Sequence, residues 1–363
     1  MRIQWYNHRD IRHPLAGGAE RTMWEVCKGL VRRGHSVEVI SCRFANLPTQ
    51  ETFDGVQIRR FAGNLGSHLS VPLALRERPR PEVVVEDLAH VVPWGAGMLG
   101  RVPTVAFFHH LHYRSLSGQV GRVAGAALKT IERTYPFIYR QRTFVTESLS
   151  SQEDLVSIGL RPQQIVRIPP GVDSGLFRPG DRSRDPLIVW YGRMQPYKRP
   201  EHALLALKEL LAEGVSVRLL VIGGGPDAER LKQMARDLSI AGATEFAGVV
   251  SDRALASLLA SSWVNVQCSR TEGWGLTSME AAACGVPTVC YDVPGLRETV
   301  RSGETGTLVT ESSGPRGLAL ALRKVIESGP GAYQSACLHW AHSHSWDATV
   351  SLWAKTLEVA AGG

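Results

Sequence analysis

The sequence predicts an α/β protein with two doubly wound parallel-sheet domains. Three observations support this fold class: the length of the chain, the alternation of apolar runs with helical patterns, and one turn-rich interruption near the middle. The chain has 363 residues, of which 44% are hydrophobic, enough for about two domains that each bury a core. Disordered and fibrous classes are therefore excluded.

The first half begins with a strand, a helix and a second strand. Residues 3–6 are predicted as the first strand. Apolar residues then recur at the spacing of one buried helical face, and Gly34 ends that helix. Residues 37–41 alternate as a strand, which completes a unit typical of parallel sheets. Further strands are predicted in the same alternation, at residues 83–85, 104–108 and 144–146.

A Pro- and Gly-rich segment, residues 168–180, interrupts this pattern and has the composition of a linker. We therefore predict an N-terminal domain over residues 1–172 and a C-terminal domain over residues 173–345. The second domain repeats the alternation, with strands at 187–191, 217–222, 264–267 and 287–291 and helices at 201–212, 227–238 and 277–284. The pattern alone does not assign the last helix, which begins at Trp346, to either domain.

The sequence predicts a cytoplasmic protein. No run approaches the roughly 18 uncharged apolar residues that a membrane-spanning helix needs, and the start of the chain is too short an apolar stretch for a signal peptide. The six cysteines form no Cys-x-x-Cys pair. In a reducing compartment they are expected to be small buried hydrophobes rather than metal ligands or disulfides.

The excess of positive charge lies in the first half of the chain. Residues 1–180 contain 23 Lys and Arg against 15 Asp and Glu, whereas residues 181–363 contain 18 against 19. This asymmetry favours an anionic partner for the N-terminal half: nucleic acid, a membrane surface or a phosphorylated acceptor.

Ligands of open parallel sheets bind beyond the carboxyl ends of the strands, and three such loops carry candidate residues. Gly17 and Gly18 follow the first strand, where glycines admit a ligand close to the backbone and helix-start N–H groups attract phosphate. A flexible glycine turn is the alternative. Arg193 and Lys198 follow a strand of the second half, and their two kinds of cation suit a diphosphate. A solvated basic loop would give the same pattern.

The third loop is the most informative. Gly273 and Gly275 expose backbone N–H groups where a helix is predicted to begin, and Thr277 adds a donor, which together would cradle a phosphate. Glu272 and Glu280 flank this cradle. Because carboxylates repel phosphate unless they face something else, sugar hydroxyls are their natural partners. The loop therefore points to a nucleotide sugar, with one carboxylate on each sugar.

This loop resembles the signature of the family 4 retaining glycosyltransferases of the GT-B fold, two glutamates separated by seven residues. Here it is written Glu272-Gly-Trp-Gly-Leu-Thr-Ser-Met-Glu280, followed by Gly285-Val-Pro287. The resemblance covers nearly the whole chain, through further matches at residues 17–18, 103–109, 170–173, 192–198, 222–226, 246–248 and 345–347. It implies two Rossmann-like domains that face each other across a cleft. The final helix, residues 346–361, is then expected to cross back to the N-terminal domain.

The resemblance also implies a role for each matching residue. Arg193 and Lys198 would neutralise the donor diphosphate, Glu280 would hold the ribose hydroxyls, and Glu272 would hold the hydroxyls of the transferred sugar. His109 would lie near the reacting sugar, with His110 and His112 as its neighbours. The remaining implied donor-binding residues are the phosphate site at Gly273, Trp274, Gly275, Leu276 and Thr277, the closing loop at Gly17 and Gly18, and the base contact at Gly248 and Val249.

The implied activity is that of a retaining hexosyltransferase. It would move a hexose from GDP-mannose or a UDP-hexose to a hydroxyl of a glycan or lipid-linked acceptor, which the N-terminal domain would bind. Neither a cofactor nor a metal is expected, since the sequence has no Asp-x-Asp and the departing phosphate can take the acceptor's proton. A nucleotide-sugar epimerase or hydrolase of the same architecture would share the donor site.

Residues 114–142 carry six basic residues and one acidic residue, with apolar residues at helical spacing. This pattern fits a basic amphipathic helix on an anionic membrane surface, and equally an ordinary surface helix packed on its own core.

The sequence disfavours two further classes of protein function. A nicotinamide dehydrogenase would need Gly-x-Gly-x-x-Gly after a strand, and residues 223–226 lack the third glycine. A nucleic-acid binder is suggested only by the net charge of +7, without a recognition module.

Overall fold

The computed structural model describes residues 1–44, 47–61, 63, 68, 71–72, 74–75, 79–100, 102–115 and 121–362. The chain divides into two compact units, Met1–Gly171 with Trp346–Gly363, and Val172–Ser345. Each unit is built on a mainly parallel sheet, so the predicted fold class is confirmed. No helix in these ranges is long and apolar enough to cross a membrane.

Eight strands form the sheet of the first unit in the part of the chain that the structure describes. They are β1 (Arg2–Tyr6), β2 (Ser36–Cys42), β3 (Gln50–Phe53), β4 (Val56–Phe61), β5 (Val83–Asp87), β6 (Thr104–Phe108), β7 (Thr143–Thr146) and β8 (Ile165–Arg167). Their order is β3-β4-β2-β1-β5-β6-β7-β8, and β3 alone runs antiparallel to its neighbour. The helices of this unit with both bounds in the described ranges are Gly18–Arg32, Ala96–Gly100, His112–Ser115, Arg122–Glu132, Tyr135–Ile138, Leu149–Ser157 and Trp346–Gly362.

The final helix packs on the first unit. Trp353 is fully buried, and its ring centroid lies 4.8 Å from that of Trp5 and 5.0 Å from that of Phe107. Val350 lies so close to Gly29 of the first helix that a Cβ there would come within 2.3 Å of it. The core of the first unit therefore includes the last helix of the chain.

The hairpin of β3 and β4 was missed in the sequence. Its turn, Asp54-Gly55, has φ values of 49° and 81°, as the tightest hairpin turns require. Two adjacent arginines, at positions 59 and 60, hide the apolar alternation of β4. The Arg60 side chain is fully buried and forms an ion pair with Asp10 at 2.7 Å. A buried ion pair therefore replaces the apolar residue that the strand pattern leads one to expect.

The second unit has six parallel strands within its described residues, β9 (Leu187–Tyr191), β10 (Arg218–Ile222), β11 (Thr244–Gly248), β12 (Val264–Gln267), β13 (Thr288–Tyr291) and β14 (Gly306–Val309). Their order is β11-β10-β9-β12-β13-β14. The helices are Pro200–Ala212, Ala228–Asp237, Asp252–Ser261, Leu276–Ala283, Leu296–Thr299, Gly314–Glu327 and Gln334–His342.

The continuous helix suggested over residues 114–142 is wrong. The described part contains helix Arg122–Glu132 and a separate short helix, Tyr135–Ile138, while residues 116–120 of this segment lie outside the described ranges. Pro136 accounts for the break, because proline is tolerated in the first turn of a helix but not in its interior.

Candidate active site

The candidate donor residues of the second unit lie on loops that follow neighbouring strands. Strands β11, β10, β9, β12 and β13 are adjacent in that order and parallel, so their loops share the sheet edge at which such folds bind ligands. In the structure Gly248 ends β11 and Val249 follows it, and Arg193 and Lys198 follow β9. The candidate residues that follow β12 are Glu272, Gly273, Trp274, Gly275, Leu276, Thr277 and Glu280.

The loop that carries Arg193 rests on the glycine turn after β10. The N–H of Met194 donates to the carbonyl of Gly224 at 2.9 Å. Gly223 has a φ of 124°, and a Cβ on it would lie 2.0 Å from the carbonyl oxygen of Gly192. Only glycine permits this approach, so the glycine run supports the backbone beside Arg193.

Lys198 and Glu272 contact each other. Lys198 Nζ lies 2.5 Å from Glu272 Oε1, and the hydroxyl of Ser269 donates to the same oxygen. The two charged side chains are only 13% and 14% exposed. Burial alone would lower the pKa of Lys198, but the Glu272 carboxylate raises it above its usual value. A diphosphate bound by Lys198 would therefore compete with Glu272 for the ammonium.

Arg199 and Ser269 hold this pair in place, and the sequence analysis missed both. The backbone of Arg199 is left-handed, with a φ of 48°. Its buried guanidinium donates to the carbonyls of Cys268 and Ser269 at 2.7 and 3.0 Å, which ties the end of β12 to the loop after β9. In the sequence, Arg199 is visible only as a second basic residue next to Lys198. Its position in the sequence does not reveal that its side chain is buried.

The helix Leu276–Ala283 begins where the phosphate cradle was predicted. Gly275 precedes it with a φ of 112°, and a Cβ there would lie 3.0 Å from Thr299 Oγ1. The first N–H groups of a helix have no partner within the helix. Thr277 is half-buried and Glu280 is buried on the same helix.

The side chains of Trp274 and Val249 differ in accessibility. Trp274 is 6% exposed, packs in the core of its unit and lies 5.6 Å from His344 between ring centroids. Its buried indole Nε1 has no hydrogen-bond partner in the described part of the chain. Val249 is 83% exposed. Trp274 can therefore contribute its backbone to a ligand more readily than its ring.

Gly17 in the first unit caps the helix Gly18–Arg32. Its N–H donates to Glu20 Oε2 at 2.7 Å. Glu20 is buried and supplies the glutamate half of a capping box, while Gly17 has no side chain to complete it. This local contact could have been predicted from the sequence, because a glutamate three residues after the N-cap is typical of this arrangement. Gly18 is exposed.

His109 lies between two carboxylates of the first unit. Its Nε2 is 2.9 Å from Asp87 Oδ1, and its Nδ1 is 3.2 Å from Glu147 Oε2. His112 belongs to a different cluster, since its ring and N–H contact Glu132 at 3.3 and 2.6 Å. Neither Asp87 nor Glu147 was identified from the sequence.

All six cysteines are buried free thiols. Within the described ranges, no group of three or more His, Cys, Asp and Glu side chains could hold a metal ion.

Two family models match the chain. Glycosyl transferases group 1 matches residues 176–336, and Glycosyltransferase Family 4 matches residues 16–176.

Curated relatives share both units. The D-inositol 3-phosphate glycosyltransferase of Acidothermus cellulolyticus is 30% identical, over 92% of this chain and 84% of that protein. The protein of the same name from Geodermatophilus obscurus is 31% identical, over 92% and 83%.

Solved structures share the fold. Sucrose-phosphate synthase from Thermosynechococcus elongatus has a TM-score of 0.81 at 20% identity, covering 98% of this chain and 97% of that one. Anabaena Alr3699/HepE in complex with UDP-glucose has a TM-score of 0.79 at 19% identity, covering 99% and 100%.

Proposed function

The chain belongs to the group 1 glycosyltransferases, and we propose that it transfers a hexose from a nucleoside diphosphate sugar to an acceptor hydroxyl, without a metal and with retention of configuration. The observation that carries this proposal is the grouping of Arg193, Lys198, Glu272 and the start of helix Leu276–Ala283 at one edge of the second unit's sheet.

The proposed chemistry follows from the charges at that edge. Departure of the sugar leaves negative charge on the phosphate and positive charge on the sugar. Arg193 and Lys198 supply fixed cations for the phosphate, and losing one such group typically lowers the rate on the order of a hundredfold or more. Glu272 and Glu280 bind sugar hydroxyls, and the phosphate oxygen accepts the acceptor's proton.

A UDP-hexose is the first donor to test. The Anabaena structure named above contains UDP-glucose, which supports this choice over GDP-mannose. For the acceptor, the curated relatives named above support a phosphorylated polyol. The excess of positive charge in residues 1–180 supports an anionic acceptor on the first unit, either this polyol or a lipid-linked glycan.

Thermal shift with UDP, GDP, ADP and their hexose conjugates tests donor binding, because a ligand of the folded state raises its stability. The preferred conjugate is then incubated with D-inositol 3-phosphate or with a lipid-linked acceptor, and the anomeric configuration of the product is read by NMR. Transfer that persists in EDTA with retained configuration supports the proposal. Turnover of the donor without any acceptor would instead favour an epimerase or hydrolase.

We also propose peripheral contact with an anionic membrane through helix Arg122–Glu132 and the segment after it. Val123 and Phe137 are 86% and 81% exposed, and Arg122, Lys129 and Arg133 of the same segment are also exposed. Each basic residue near such a surface contributes about 1 kcal/mol to the free energy of binding.

Co-sedimentation with anionic and with neutral vesicles tests this contact. Binding should require anionic lipid and fall with salt, and Phe137→Glu should weaken it. Leu320→Glu, at a residue 51% exposed on the second unit, is the matched control. Equal binding of both variants would contradict the proposal.

A further inference from the structure

Three neighbouring strands of the first unit end in ionisable side chains that meet. Asp87 is the last residue of β5, His109 directly follows β6, and Glu147 directly follows β7. The sheet order β5-β6-β7 places His109 in the middle. The three side chains are 0%, 5% and 6% exposed, so solvent barely reaches the contacts between them.

The two contacts determine the protonation of the ring. A carboxylate only accepts hydrogen bonds, so each ring nitrogen must carry a hydrogen to bond its neighbour, and only the imidazolium carries two. A neutral His109 would turn a lone pair toward one of the carboxylates. Burial by itself lowers the pKa of His109, but the Asp87 and Glu147 carboxylates raise it, and the net value is about 10.

Other contacts fix the orientation of this cluster. Asp87 also accepts hydrogen bonds from the Trp5 indole at 3.3 Å, the Asn7 amide at 3.1 Å and the Ala89 N–H at 3.0 Å. The main-chain carbonyl of His109 accepts a hydrogen bond from the Ser151 hydroxyl. Both the ring and the backbone of His109 are therefore held.

We propose that Asp87 and Glu147 are positioning residues for sugar transfer, which hold His109 as a fixed imidazolium that does not accept the proton of the acceptor hydroxyl. This inference rests on the proposed function, because the acceptor hydroxyl must lose a proton only if a sugar is transferred to it. With His109 already fully protonated, that proton goes to the departing phosphate, and the imidazolium contributes charge and position alone.

Nitrogen NMR of the ¹⁵N-histidine-labelled full chain tests the charge directly, with His109→Gln to assign the signals. At a pH about one unit above the ordinary histidine pKa of about 6.5, both ring nitrogens of His109 should be protonated. In Glu147→Gln one carboxylate is lost and the pKa of His109 should fall. A neutral His109 in the wild-type chain would overturn the proposal.

Kinetics separate a positioning role from a structural one. Glu147→Gln should lower kcat on the order of tenfold to a hundredfold, as expected of a misplaced group, with the donor KM unchanged. Its kcat should also acquire a pH dependence that the wild-type enzyme lacks near about 6.5. Glu153→Gln, at an exposed residue on the next helix, is the control.

If Glu147→Gln matches this control in kcat and in pH profile, the positioning role is refuted. Asp87→Asn removes the carboxylate on the other side of the ring, and it should lower kcat and change the pH profile in the same way. A wild-type chain that binds no nucleotide and transfers no sugar would refute the proposed function instead.

Discussion

Replacing Glu272 with glutamine should tighten the binding of a nucleoside diphosphate. The Glu272 carboxylate contacts the Lys198 ammonium at 2.5 Å, so the diphosphate and Glu272 compete for one cation. Glutamine has nearly the same shape and keeps an oxygen for the Ser269 hydroxyl, but it carries no charge. The substitution therefore releases Lys198 for the phosphate.

The size of the gain follows from the contact that is lost. A hydrogen bond to a charged group is worth about 1.5–3 kcal/mol net, and a tenfold change in affinity corresponds to about 1.4 kcal/mol. The glutamine oxygen keeps a weaker contact with Lys198, so the lower end applies. We expect the Kd of the diphosphate to fall about tenfold. The gain should be smaller for the nucleotide sugar, because Glu272 is also proposed to hold the sugar hydroxyls.

Isothermal titration of UDP and UDP-glucose into four proteins measures this effect: wild type, Glu272→Gln, Lys198→Ala and the double variant. The gain should vanish in the double variant, since the coupling requires both residues. Glu304→Gln, at an exposed residue of the same unit, is the control. The reasoning is refuted if Glu272→Gln weakens UDP binding, or if the gain persists without Lys198.

Three further predictions concern stability and support of the site. Trp353→Ala should lower the free energy of unfolding by about 3–5 kcal/mol, because the indole is fully buried. Denaturant titration against Leu352→Ala, at a residue 45% exposed, checks this, and equal losses would contradict it. Gly223→Ala should abolish the thermal shift with nucleotide, since its Cβ would lie 2.0 Å from a backbone oxygen, whereas Gly242→Ala should retain it. The charged His109 should stabilise the fold fully below the pKa of about 6.5 that a histidine has in the unfolded chain. Because the pKa of His109 in the folded chain is about 10, this stabilisation should be lost as the pH rises through that value. The denaturation midpoint of the wild-type chain should therefore fall over this pH range, and that of His109→Gln should not.

The strands that are apolar runs separated by turn signals were predictable, whereas β3, β4, β8, β11 and β14 were not found. Residues 104–108, 187–191 and 264–267 were placed with the bounds that the structure shows. The hairpin strand β4 was not found, because its buried Arg60 is matched by Asp10, fifty residues earlier in the chain. The pattern of apolar and polar residues along one strand cannot show that a charged side chain is buried in an ion pair with a residue far away in the sequence.

The candidate site was predictable as a set of loops, but not as a set of contacts. Lys198 and Glu272 lie 74 residues apart, and His109 lies 38 residues from Glu147. Strand order brings both pairs together, and that order is a property of the folded sheet. Glu20 differs in kind, because its contact with the glycine cap is local and could have been found from its spacing.

The final helix imposes an order on synthesis. Trp353 completes a core whose other wall, around Trp5, is made first. Until the ribosome has added the final helix, the first unit lacks the Trp353 ring of its core, whereas the second unit has every strand of its sheet once residue 309 has been added. The unit translated second can therefore finish folding before the unit translated first. During that interval the apolar surface around Trp5 lacks the ring that covers it, and such uncovered apolar surface makes a folding intermediate prone to aggregate.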